Sequence, residues 1–428
     1  MGMTMQSRYD NRRADLMNGG EKKNSGRNGT ITWQEAQALL CGAAGPSDMI
    51  MCGLDDSLNH VLAEDVYAPM NQPPFRRSAM DGYALCCRDL EGASADAPVS
   101  LQVRGCIYAG DAPVAAGTIR AGEAFRIMTG APVPDDTDLV VPQEDTDEGE
   151  ETVKIYVSGY GQNSYISPVA EDFAEGECLI EKGTLIDAYA LSCACAAGIR
   201  QLPVRRKIRA GLIMTGSELC APGEDLKPGK IYNSSAAFLK GRLAQLGCET
   251  VAAVYMEDDA QKITETIRQM TKESDLIITT GGVSVGKRDL VPEALEVAGA
   301  EILFHGIAIK PGMPTLGAVC GGIPVLGLSG NPYSAAAIFE LLARPLIFRM
   351  LGRTGAAFRK TTAELDREIV RKGNVPRIMM GIFDGTRVSI CGKQRNAQMK
   401  YGIGSNCVVI LPPGKAVFPA GTKMEILL

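Results

Sequence analysis

The residues best placed to do chemistry are carboxylates, cations and hydroxyls set beside glycine turns. Residues 275–290 read DLIITTGGVSVGKRDL. Gly281, four residues, then Gly286-Lys287 open the phosphate-loop pattern G-x-x-x-x-G-K. The next residue of that pattern is a Ser or Thr whose hydroxyl holds magnesium. Here it is Arg288, followed by Asp289, which argues against a phosphate loop. Gly281 and Gly282 still let the backbone approach an anion closely, and a helix start behind them attracts negative charge. Asp289 reads either as the cap of that helix or as a carboxylate holding Mg2+ beside bound phosphate. A second turn, Met214-Thr215-Gly216-Ser217-Glu218-Leu219, follows an earlier apolar run. If both turns open on one rim of a sheet, Glu218 and Asp289 are candidate partners for one metal; two unrelated surface acids fit the spacing equally well.

Two further loops carry donors. Ile309-Lys310-Pro311-Gly312-Met313-Pro314 is a rigid turn headed by an anion-binding candidate, Lys310. Leu328-Ser329-Gly330-Asn331-Pro332-Tyr333-Ser334 enters a helix, with Asn331 at the cap, Pro332 in the first turn and Ser334 as a hydroxyl donor. Two more stretches, PPFRRSAMDGYA (73–84) and FRIMTGAPVP (125–134), have the look of loops built for a purpose, but elementary chemistry assigns them no mechanism.

The elements that must position these residues follow from periodicity. From residue 204 apolar strands alternate with capped helices: 208–214, then a helix over 234–246 capped by Asn233, a strand at 251–255, a helix capped by Asp258 or Asp259, a strand at 275–280, a helix at 290–298, a strand at 302–309 and a long helix from Pro332. Such alternation predicts a doubly wound, mostly parallel α/β domain over 201–352. Short alternating runs with frequent Pro and Gly predict a small inserted β domain over 66–157, and Gly-punctuated short strands a terminal β domain over 353–428. Residues 30–65 and 158–200 read as a helical linking domain, including a buried helix over 186–199 ended by Gly198. Residues 1–29 read as a mobile polar leader.

The bulk numbers bound the rest. A chain of 428 residues with 45% hydrophobic and 22% charged residues is globular and multidomain. A net charge of −6 gives no reason to expect a nucleic-acid partner. Thirteen cysteines without a C-x-x-C pair suit reduced thiols in a cytoplasm, not a zinc site or a secreted scaffold. Only His60 and His305 are present, which disfavours a His-rich metal site or a Ser-His-Asp triad. No apolar run is long enough for a membrane span.

Taken together, PPFRRSAMDGYAL (73–85), RIMTGAPVP (126–134), VVPQEDT (140–146), MTGSEL (214–219), TTGGVSVGKRD (279–289), IKPGMPT (309–315) and SGNPYSA (329–335) resemble, in order and spacing, the molybdopterin molybdenumtransferases of the MoeA and gephyrin E-domain family. The resemblance spans residues 30–428 and implies an elongated homodimer with its site between subunits. It also implies a C-terminal β-barrel and an activity in which molybdate enters the dithiolene of adenylylated molybdopterin with release of AMP, assisted by a divalent metal such as Mg2+. Carried over by motif, Asp81, Glu218 and Asp289 are the catalytic acids, and Asp81, Asp172, Glu218 and Asp289 the metal set. Thr129, Thr215, Gly216, Gly281, Gly282 and Ser284 would contact the pterin nucleotide. Lys310, Ser334 and Arg377 would hold the oxyanion. Other proteins of cofactor biosynthesis are possible partners.

The chain departs from the family pattern at several of these words. Met313 stands where the family has a second lysine, Ser217 and Asn233 where it has aspartates, Ser329 where it has proline, and Arg76-Arg77 where it has Asp-Asn. Methionine supplies neither a cation nor a donor. A carrier that holds the pterin without turnover, or a relative with altered oxyanion choice, is therefore the rival expectation; a scaffold and a P-loop nucleotidase rank below it.

Overall fold

The computed structural model describes residues 30–284, 289–390, 392, 394–414 and 416–428. The leader, together with Gly286, Lys287 and Arg288, lies outside the described residues. The chain divides into two compact units: residues 1–48 with 205–428, and residues 49–204 inserted between them.

The first unit is built on a six-stranded sheet. Its strands are β1 (Arg209–Thr215), β2 (Glu249–Met256), β3 (Leu276–Thr280), β4 (Glu301–His305), β5 (Leu316–Cys320) and β6 (Ile323–Leu328), in the order β2-β1-β3-β6-β5-β4. The first four in that order are parallel; β6, β5 and β4 pair antiparallel. The doubly wound expectation therefore holds for the parallel part and is corrected at its edge. There, Gly321 and Gly322 (φ 58° and 83°) close a hairpin between β5 and β6. Both turn residues have positive φ, as a tight two-residue hairpin requires. The strand expected at 302–309 ends at His305.

Helices cover the sheet because their sequences carry one apolar stripe each. In Ala260–Glu273, Ile263, Ile267 and Met270 recur at helical spacing and meet Ile213, Ile277 and Leu295 in the core. Asp259 caps this helix through the amides of Gln261 and Lys262, both at 3.1 Å. Asn233 caps Ser234–Gln245 through the Ala236 amide at 3.1 Å. β3 is buried at every position, as befits a central parallel strand. The long helix after Pro332 runs through one π-helical turn, Phe339–Ala343, where buried Glu340 takes a bidentate bond from Arg242.

Strands Lys360–Leu365, Arg377–Phe383, Arg387–Ser389, Cys407–Leu411 and Lys423–Leu427 close a five-stranded barrel over a core that includes Leu365, Val388, Val409 and Ile426. The expected terminal β domain is this barrel. Helix Trp33–Gly42, with a Thr32–Glu35 capping box, belongs to the same unit.

The helix expected over 30–65 is shorter than the sequence suggested. Gly42, Gly45 and Pro46 end it, and Met49–Gly53 and Val66–Tyr67 are strands. In the second unit, strands Leu139–Pro142, Gly82–Leu85, Glu123–Ile127, Val99–Ile107 and Thr152–Ile155 form one sheet in that order, packed on Tyr83, Leu101, Leu139 and Val153. The helix expected to be buried over 186–199 is Ala188–Ala196, and it is not buried: Tyr189 is 86% exposed and only Ala194 is enclosed. Its residues are apolar on every side, so composition alone could not say which face packs.

Candidate functional site

The parallel order β2-β1-β3 reverses winding direction between β1 and β3. In open α/β sheets, ligands bind in the crevice beyond the C-terminal strand ends at such a switch point. Both glycine turns leave the sheet there. Met214 of β1 pairs with Thr280 of β3, and Thr280 with Leu328 of β6, so three turns share one rim. The Thr215 hydroxyl donates to the Thr280 carbonyl at 3.4 Å, and the Gly281 amide to the Leu328 carbonyl at 3.1 Å.

At Gly281 the packing leaves no room for a side chain, and Gly330 lies against it. A Cβ on Gly281, which has φ 84°, would lie 2.3 Å from the Thr215 carbonyl oxygen, and one on Gly330 3.4 Å from the Gly281 Cα. The exposed Glu218 carboxylate folds back onto Gly216, where an added Cβ would meet Oε2 at 2.8 Å. Ser284 and Asp289 are half-buried beyond the Gly281-Gly282 turn. The cap reading of Asp289 fails: the helix is Val291–Val297, its N-cap is Leu290, and no side chain caps it. His305 donates from Nε2 to the Val283 carbonyl at 2.8 Å and so supports the turn.

The main chains of two cationic residues expected at the site, far apart in sequence, are brought together. Lys310 and Arg377 form a parallel β-bridge in which the Lys310 amide donates to the Pro376 carbonyl and the Ile378 amide to the Lys310 carbonyl, both at 2.9 Å. Lys310 is exposed and Arg377 half-buried. The bridge also joins the barrel to the α/β sheet. Met313 turns the loop through its carbonyl, which accepts from Ile307 and Thr315, each at 2.9 Å.

Ser334 sits differently from a free donor. It is 1% exposed, and the amides of Tyr333 and Ser334 donate to the Asn396 carbonyl of the barrel at 3.0 and 3.3 Å. The helix start is thus occupied by a peptide dipole. Gln394, Asn396 and Tyr333 were not singled out from sequence, because no local pattern marks a buried glutamine that pairs with a distant strand.

In the second unit, Gly82 lets two strands close: a Cβ there would lie 1.9 Å from the Val141 carbonyl oxygen. This places Asp81 at the strand end opposite Thr129. The Thr129 hydroxyl and amide donate to Asp81 Oδ1 at 2.6 and 2.7 Å. Those two bonds, with Arg126 nearby, hold the Asp81 carboxyl below its ordinary range. Asp172 is exposed in the same unit. Arg76 is committed to the carbonyls of Thr137 and Pro134 at 3.0 and 2.8 Å, so its charge serves the loop. Among the described residues no three His, Cys, Asp or Glu side chains are grouped as a metal cage. Mg2+ commonly takes only one or two carboxylates and completes its shell with water and substrate phosphate; Glu218, exposed, and Asp289, half-buried, are the carboxylates that follow the two glycine turns.

Comparison with known proteins places the chain. Residues 31–198 match the MoeA N-terminal region (domain I and II), and residues 211–349 match a model described as "Probable molybdopterin binding domain". A molybdopterin molybdenumtransferase of Staphylococcus epidermidis is 33% identical over 89% of this chain and 91% of its own length. One of Staphylococcus aureus is 32% identical over 93% and 95%. Two solved structures of the molybdopterin biosynthesis MoeA protein of Pyrococcus horikoshii cover 93% of this chain and 99% and 100% of their own, at 30% and 27% identity and TM-scores of 0.81 and 0.80. With its glycine turns at the switch point and these matches along nearly its whole length, the chain belongs to the MoeA family of molybdopterin molybdenumtransferases.

Proposed function

We propose that the protein acts in molybdenum cofactor biosynthesis by inserting molybdate into the dithiolene of adenylylated molybdopterin with release of AMP. One observation supports this reading above the others: three sheet turns, one of them closed to any side chain at Gly281, meet at the switch point of the unit in which Lys310 and Arg377 are bridged. Backbone amides around Gly281 and Gly282, with Thr215, Gly216 and Ser284, hold the nucleotide phosphates. Lys310 and Arg377 hold the oxyanion, Arg377 offering a planar fork and Lys310 a point charge. Glu218 and Asp289 would hold Mg2+, which when bound would supply neutralising charge for the departing AMP.

Asp81 and Thr129, with Asp172, complete the site from the inserted β unit of a second copy, in a homodimer. A cytoplasmic location fits the described cysteines, all free thiols, and no helix of the described residues is long and apolar enough to cross a membrane. Purified protein given adenylylated molybdopterin, molybdate and Mg2+ should release AMP; release no faster than background defeats the proposal.

The carrier reading rests on Met313 and Ser217, which replace charge at the rim. Tight pterin-nucleotide binding with AMP release indifferent to molybdate would favour it.

A further inference from the structure

Arg377 leaves a barrel strand and Lys310 a loop of the α/β domain, and a long guanidinium chain needs fixed partners to hold one geometry. One of those partners is the Gln394 main-chain carbonyl, which accepts from Arg377 Nη2 at 3.2 Å. Gln394 is 1% exposed and has a left-handed backbone, φ 42°, unusual for a residue with a side chain. Its side-chain amide explains why the segment stays there. Nε2 donates to the Met380 carbonyl at 2.6 Å, and Oε1 accepts from the Met380 amide at 2.9 Å and from the Tyr333 hydroxyl. The amide thus pairs both backbone groups of Met380, as a neighbouring strand would. Tyr333, also 1% exposed, accepts from the Met380 amide at 3.0 Å, and its own amide donates to the Asn396 carbonyl. Met380 and Arg377 lie on one strand, Arg377–Phe383.

We propose that Gln394 is a positioning residue: its side chain clasps Met380 and Tyr333, and this holds its own carbonyl against Arg377 and sets the guanidinium beside Lys310 for a tetrahedral oxyanion. The proposal rests on the oxyanion role of that pair. Gln394 acts through Arg377 and touches no reacting atom.

The test is a split between two constants. In Gln394→Met and Tyr333→Phe, the apparent KM for molybdate is measured at saturating adenylylated molybdopterin, and the affinity for the pterin nucleotide is measured by calorimetry. Gln394→Met should raise the molybdate KM on the order of tenfold, the worth of one charge-assisted hydrogen bond. Tyr333→Phe should raise it less, and nucleotide affinity should stay within about twofold in both. An unchanged molybdate KM in both variants, or a parallel loss of nucleotide affinity, overturns the proposal and leaves Gln394 a structural residue. Should Gln394→Met not fold, Tyr333→Phe, which removes one hydroxyl, decides alone. Lys310→Ala and Arg377→Ala in the same assay separate the two levels. If they leave the molybdate KM unchanged, the oxyanion reading itself fails; if they raise it while the Gln394 and Tyr333 variants do not, only the positioning role fails.

Discussion

Replacing Gly281 by alanine tests the construction of the rim. Gly281 has φ 84°, and the added Cβ would lie 2.3 Å from the Thr215 carbonyl oxygen and 2.9 Å from its Oγ1. The left-handed backbone costs an alanine roughly 1–2 kcal/mol. The obstructing atom belongs to the main chain of β1 and cannot swing aside, so the turn must shift, an overpacking cost of about 1–3 kcal/mol. Gly281→Ala should therefore lose roughly 2–5 kcal/mol of stability. Gly322→Ala is the control: its φ is 83°, yet nothing lies within 4 Å of the added Cβ. It should lose only the backbone term, roughly 1–2 kcal/mol. Urea unfolding followed by circular dichroism at constant slope measures both. In the AMP-release assay, a rim displaced by about an ångström should cost on the order of 100-fold, while Gly322→Ala stays near the parent rate. A Gly281→Ala protein as stable as the Gly322→Ala control, or one that turns over at the parent rate, would refute the reasoning.

Other perturbations follow from the same geometry. Burial raises the Asp275 carboxyl, but hydrogen bonds from Arg206 and Arg209 outweigh it and hold the group at about 2. Its folded value lies below the unfolded one, about 3.9, so the stability it contributes is present above about pH 4 and is lost as pH falls toward 2. Asp275→Asn should flatten acid unfolding in that window and cost roughly 1–2 kcal/mol at neutral pH after solvent screening. Met313→Lys keeps the loop, because the bonds at that residue are made by its carbonyl. It should lower the molybdate KM on the order of tenfold with little change in melting temperature; an unchanged KM would mean that Lys310 and Arg377 already supply the charge the oxyanion needs. Thr129→Val removes the hydroxyl donated to Asp81, so the Asp81 carboxyl should titrate at a higher pH by NMR, and an unmoved titration would refute that bond as the cause.

Much of the α/β domain was legible because its determinants are local. The caps at Asn233 and Asp259, the buried run of β3 and the glycines after β1 and β3 each depend on neighbours within a few residues. The Gly321-Gly322 pair is an equally local hairpin signal, and it turns the far edge of the sheet antiparallel. The burial of the helix around Tyr189 is not legible in its sequence, because uniform apolarity names no face. Asp289 was not a cap, although its neighbours allowed one, because the helix begins beyond Leu290.

The family, the alternation of strand and helix and the places where backbone can approach an anion are readable from the chain alone. These are properties of short windows and of motif order. Only the tertiary structure decided that Lys310 and Arg377 stand in one β-bridge, that a peptide carbonyl from the barrel covers the amides of Tyr333 and Ser334, and that Gln394 completes the pairing of Met380. Such pairings join segments far apart in the chain. The first two exist only after the barrel has docked on the α/β domain, and the third closes within the barrel, where buried polar groups must find partners.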